Sequence, residues 1–209
     1  MFSLPKRRAA PFLFALALAF AAGPGLAQTP PPAAAPVDPM PPPNPAMAAP
    51  QPLQPGDAFG EEVTLPARTF IGLKGRGTWD AAFDTLSDAF KSLNQYLEKQ
   101  GIKPNGPAMT IYTETDDRGF SFEAVLPIAE APANPPAGDI AVSQAPTGRA
   151  LKFTHRGSYD SMDSTYEAIT NHLDEKQLDA KDMFIEEYTA DPATMKPDNI
   201  VVTIYVPVK

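Results

Sequence analysis

The 209-residue chain contains no cysteine, two histidines and one tryptophan. Lack of cysteine excludes disulfides, thiol catalysis and thiolate metal ligands. The histidines, His155 and His172, have no Cys/His/Asp partners at ligand spacing, so neither a zinc site nor any other metal site is expected. No cofactor is expected either. Gly72, Gly75 and Gly77 lead into Thr78-Trp79 with no Lys-Ser/Thr to complete a phosphate loop, and no serine sits in a nucleophile elbow. Basic charge is also scarce, with 17 Lys+Arg against 25 Asp+Glu and a net charge of −8. A chain without a basic stripe or a helix-turn-helix pattern is not expected to bind nucleic acid.

The charge and apolar residues of the first 27 positions have the order of an export leader. Lys6, Arg7 and Arg8 precede the apolar stretch Pro11 to Ala22, and Gly25 and Ala27 supply the small residues of a cleavage site before Gln28. The apolar run is shorter than the roughly 20 residues of a spanning helix. Export to the periplasm is therefore expected, with no stable membrane insertion after cleavage; an uncleaved signal anchor is the alternative. Residues 28–58 hold 12 prolines in 31 positions and only two charges, Asp38 and Asp57. Proline fixes φ and lacks an amide proton, so this stretch reads as a disordered proline/alanine-rich linker.

The remaining 59–209 is one domain in length and carries 23 acidic against 14 basic residues. It is written twice. Gly77-Thr78-Trp79-Asp80 opens an amphipathic helical stretch, and 80 positions later Gly157-Ser158-Tyr159-Asp160 opens another. Phe83, Leu86, Phe90, Leu93 and Leu97 share one helical stripe, ended by Gly101. Met162, Tyr166, Ile169 and Leu173 form the second stripe. Each helix leads to a Tyr-Thr pair, Tyr112-Thr113 and Tyr188-Thr189, and each copy closes on an apolar strand running into proline. The spacing predicts strands over 63–73, ended by the glycines at 72, 75 and 77, over 109–115 and over 119–128 in the first copy, and over 149–155, 183–189 and 200–208 in the second. The helical portion of the second copy is four residues shorter, about one turn, which keeps its buried stripe in phase. The expected fold is α+β: two β-α-β-β repeats, 61–128 and 139–209, about a pseudo-dyad, with antiparallel sheets and one long helix per repeat. A proline-rich crossover, 129–138, joins them. The seam between two such units is a natural place for a ligand-sized hollow.

Phe153-Thr154-His155-Arg156-Gly157-Ser158-Tyr159, Glu187-Tyr188 with Asp191-Pro192, and Thr203-Ile204-Tyr205-Val206-Pro207-Val208 resemble, in order and spacing, the GyrI-like small-molecule-binding domain. The same domain serves as the effector-binding domain of some bacterial transcription activators. The resemblance covers about 60–209. It implies an aromatic-lined cleft with a glutamate at its floor, matched here by Glu187, with Glu186 turned to the opposite face by strand alternation. A carboxylate among ring faces suits a flat organic cation.

The candidate ligand-binding residues are Glu187, Tyr188, Trp79, Tyr159 and Tyr112, the aromatics because Trp79/Tyr159 and Tyr112/Tyr188 stand at equivalent positions of the copies. Paired core packing accounts equally well for these aromatics. Tyr205, Phe70 and Glu123 are weaker candidates, His155 is expected to cap or orient its turn, and His172 is expected on an exposed flank. The reading is an exported domain that binds an apolar or cationic small molecule. The alternatives are a hydrolase using Glu187 as general base, as the resemblance implies for some relatives, and an interaction module with a filled cleft and an unidentified protein partner. No attached regulatory module is expected in this copy.

Overall fold

The computed structural model describes residues 51–134, 136 and 138–209, so the leader expected at 1–27 and most of the linker expected at 28–58 lie outside the described residues. Chain order is β1 (Phe59–Leu65), β2 (Thr69–Thr78), α1 (Ala82–Gln100), β3 (Met109–Thr115), β4 (Gly119–Pro127), β5 (Ile140–Gln144), β6 (Gly148–Gly157), α2 (Met162–Lys176), β7 (Phe184–Tyr188) and β8 (Ile200–Pro207). A single 3-10 turn introduces each helix, at Trp79–Ala81 and Tyr159–Ser161.

The strands form one eight-stranded sheet in the order β1-β6-β8-β7-β3-β4-β2-β5, all pairs antiparallel. This order reads the same from either end when β1–β4 are exchanged for β5–β8. At its middle β3 meets β7, pairing Met109 with Glu187, Thr110 with Glu186, Ile111 with Ile185 and Tyr112 with Phe184.

The helices follow the sequence stripes. Leu86, Phe90, Leu93 and Leu97 of α1 are buried, as are Met162, Tyr166, Ile169 and Leu173 of α2. They join Phe122, Leu126, Phe153, Val202 and Ile204 in one core on the helix side of the sheet. Each such side chain contributes about 1.5–3 kcal/mol by leaving water. Helix α1 has 19 residues and α2 has 15, the four-residue difference expected from the sequence. Gly101 ends α1 in the left-handed conformation at φ 67°, its amide bonded to Glu98 O.

Four expectations change. The single strand expected over 63–73 is two strands, because Pro66 cannot donate to a ladder and a short turn follows it. The glycines at 72, 75 and 77 do not end β2; they lie under the cross-strand neighbours Glu123, Phe122 and Phe120. A Cβ at Gly75 would stand 2.6 Å from Phe122 Cζ, so the missing side chain is what lets the ring cover the strand. Each half also carries an extra first strand that crosses to the other half, β1 pairing with β6 and β5 with β2.

The fourth change concerns the linker. Its last residues belong to the fold: Ala58 is buried, and the backbone amide of Gln51 donates to Arg156 O. Asp57 accepts two hydrogen bonds from the Arg156 guanidinium at 2.6 and 2.8 Å.

Candidate functional site

The period of two along β7 sorts its residues by face. Phe184, Glu186 and Tyr188 point toward the helices, whereas Ile185 and Glu187 point away. Glu187 is thereby placed on the opposite face from Trp79, Tyr112 and Tyr159, the reverse of what the sequence suggested. It lies beside Arg68, 3.7 Å away, and the Tyr205 hydroxyl at 3.5 Å. Glu186, set aside at the sequence level, is the acid on the helix side.

Glu186 is 2 % exposed and stands at the bottom of a cleft of about 430 Å³ between the start of α1 and the start of α2. Tyr166 donates to its Oε1 at 2.7 Å; Tyr188 and Tyr112 donate to Oε2 at 2.7 and 3.1 Å. A carboxylate has about four lone-pair sites, so three are filled by neutral donors. Among the described residues it has no ion-pair partner. Burial pushes its carboxyl above the ordinary value of 4.5, and the three tyrosine hydroxyls pull back against that shift. The same burial, with the acid beside them, raises the Tyr112, Tyr166 and Tyr188 hydroxyls, so they stay protonated as donors.

The walls are aromatic. Trp79, Tyr112, Tyr159, Tyr166 and Phe184 line the space above Glu186. Trp79 is held by a 2.8 Å hydrogen bond from its Nε1 to Asp116 O and packs on Phe120 with ring centroids 4.9 Å apart. Tyr159 meets Phe83 edge-on at 5.4 Å, which joins the two helix starts across the cleft. Asp80, Asp160 and Asp163 stand at the rim, in the first turns of the two helical segments, where they offset the positive helix ends. Among the described residues no lysine or arginine lines the cleft, and no three His, Asp or Glu side chains converge as a metal site.

Three of the sequence candidates, Trp79, Tyr112 and Tyr159, are brought together here. Tyr188 is 2 % exposed and supports Glu186 from behind instead of forming a wall. Phe70 is core on the far face, and Glu123, also away from the cleft, accepts from Ser143 Oγ at 2.9 Å. His155 is buried and orients its turn: its ring meets Thr165 Oγ1 at 2.7 Å and Ser158 O at 3.2 Å, and burial lowers its pKa. His172 is half-buried against Phe59 and Phe153, not an exposed flank. Tyr166, Phe184 and Glu186 were missed. One available signal would have found two of them: once Tyr188 is assigned to the helix face, residues 186 and 184 must share it.

Residues 61–209 match the family model of the GyrI-like small molecule binding domain. No curated protein matches the chain. Among solved structures, the C-terminal domain of EcmrR superposes with a TM-score of 0.61 at 15% identity, over 73% of this chain and 98% of that one. This chain spans 57% of the EcmrR chain solved with DNA. A hydrolase from Listeria innocua superposes with a TM-score of 0.52 at 12% identity, over 73% and 93% of the two chains. SAV2435, solved bound to tetraphenylphosphonium, gives 0.51 at 15% identity, over 72% and 94%. At these identities the likeness is one of fold. Among the described residues no helix is long and apolar enough to cross a membrane.

Proposed function

Because the chain belongs to the GyrI-like small molecule binding domain family, we propose that it is an exported domain binding a lipophilic organic cation between the starts of α1 and α2. Glu186 supplies the counter-charge. One observation carries this reading: a buried carboxylate held only by tyrosine hydroxyls, with no cation beside it among the described residues, at the bottom of an open aromatic cleft. An ionised carboxylate out of water is costly until a positive charge reaches it. A bound cation offsets that cost and gains about 0.5–2 kcal/mol from each ring face it covers. The volume suits a drug-sized ligand. Tetraphenylphosphonium, the ligand of SAV2435, is an organic cation of this kind. We further infer a two-fold relation between the halves through the β3–β7 pair, with Trp79 and Tyr159 as matching walls. The test is titration of the full chain with tetraphenylphosphonium, read by the fluorescence of Trp79. Saturable quenching that is lost in Glu186→Gln supports the proposal; undiminished affinity in that variant sinks it.

A second reading is hydrolysis, favoured by the raised carboxyl of Glu186, which makes it a stronger base than a surface glutamate. The same variant separates the two. An anchor loses binding, whereas a base keeps binding and loses turnover.

A further inference from the structure

The far face of β3 and β7 has a hollow of its own. Its volume is about 160 Å³, and its apolar floor is Phe70, Met109, Ile111 and Ile185. Its walls come from the turns after β1 and β5, Pro66 to Arg68 and Ala145-Pro146, which are tied together by the Ala145 amide donating to Arg68 O at 2.8 Å. Two prolines and this bond fix the walls before any ligand arrives, so little ordering entropy is lost on binding.

The charges at this hollow are mixed, where those of the cleft are all acidic. Arg68, Lys152 and Glu187 line it, and Glu61 stands beside Lys152, two positive groups against two negative. Among the described residues the Arg68 guanidinium has one ionic neighbour, Glu187 at 3.7 Å, which is beyond hydrogen-bonding reach. Lys152 stands 3.8 Å from Glu61, equally loose. The Tyr205 hydroxyl reaches Glu187 only at 3.5 Å. The Tyr205 hydroxyl is pushed up to about 12, chiefly by burial, so at neutral pH it is a donor. Planar guanidinium donors that are not fully engaged fit a carboxylate in bidentate fashion.

We propose that this hollow is a second ligand site, specific for a small aromatic monocarboxylate, whose ring lies on Met109, Ile111 and Ile185 and whose carboxylate is taken by Arg68 and Tyr205. Size selects one ring: an apolar cavity of about 150 Å³ holds benzene. The site is independent of the cation cleft and stands back to back with it across the same two strands, Glu187 on one side and Glu186 on the other.

The experiment uses the full chain, sodium benzoate as probe, methyl NMR of Met109, Ile111 and Ile185, and calorimetric titration. The expected result is saturable shifts at these methyls with the Trp79 indole unmoved. Benzyl alcohol, the same ring without the charge, should bind more weakly. Arg68→Gln should weaken benzoate roughly tenfold, as loss of a charge-assisted pair implies, and leave tetraphenylphosphonium binding as it was. Tyr205→Phe, which keeps the ring, serves as the second variant and should weaken benzoate less. Non-saturable shifts, shifts at Trp79 in place of the methyls, or equal benzoate affinity in the wild type and both variants would overturn the proposal.

Discussion

Thr110 and Glu186 face each other across the central pair of strands, and the Tyr188 hydroxyl joins them, 2.9 Å from Thr110 Oγ1 and 2.7 Å from Glu186 Oε2. Each also lies two residues before the tyrosine of a Tyr-Thr pair, Tyr112 and Tyr188. A short hydroxyl on one side therefore leaves room for a longer acid on the other. Both tyrosines donate to the same oxygen of that acid, Oε2.

The two adjacent glutamates should behave oppositely. Glu186→Gln is expected to weaken tetraphenylphosphonium binding at least tenfold, the scale of a charge-assisted contact in a dry site, while Glu187→Gln leaves it within about twofold. Quenching of Trp79, the single tryptophan, reads both. Equal losses in the two variants would contradict the assignment by face.

The pH dependence has a definite sign. Glu186 takes up a proton in the folded chain above the pH at which it does so unfolded, near 4.5. Its contribution to stability is thus complete at low pH and is lost as pH rises from about 4.5 through the folded value. Asp57, Glu62 and Asp116, held low chiefly by hydrogen bonds from Arg156, from Arg149 and from the backbone amides of Arg118 and Gly119, contribute in the reverse sense, losing stability as pH falls. Melting curves of wild type and Glu186→Gln across this range should diverge as pH rises, with the variant relatively more stable. Cation binding by the wild type should strengthen over the same window.

Gly75→Ala is expected to lower stability by about 1–3 kcal/mol, the range for overpacking. The new methyl would meet the buried Phe122 ring at 2.6 Å. Denaturant unfolding measures the loss.

The fold is expected to begin before the residues matched by the family model. A chain starting at residue 51 should melt at a higher temperature than one starting at 59, because only the longer one keeps the Asp57–Arg156 pair and buried Ala58. Asp57→Asn in the longer chain should give part of the same loss. Identical melting temperatures would return 51–58 to the linker.

Export is checked by mass. The protein recovered from the periplasmic fraction is expected to begin at Gln28; one that retains Met1 there contradicts leader removal.

The helices were legible because their stripes are long. Leu86, Phe90, Leu93 and Leu97 repeat a 3.6-residue period that no strand uses, and the core sits where they point. The short strand Ile140–Gln144 was not legible, since five residues beside a proline-rich crossover carry no distinct period. The glycines of β2 misled because a glycine read along the chain weakens a strand, whereas here the compensation comes from the neighbouring strand, as the Phe122 ring fills the space over Gly75.

The sequence alone determined that two amphipathic helices cover a sheet and that a Tyr-Thr pair follows each helix; these are properties of local order and period. Which glutamate enters the cleft was decided only by tertiary structure. Adjacent strand residues always face opposite ways, but the face that carries the helices is set by the register of β7 against β3, a long-range pairing. That register turns Glu186 toward three tyrosines from three separate segments, β3, α2 and β7, and turns Glu187 toward Arg68 and Tyr205 on the other side.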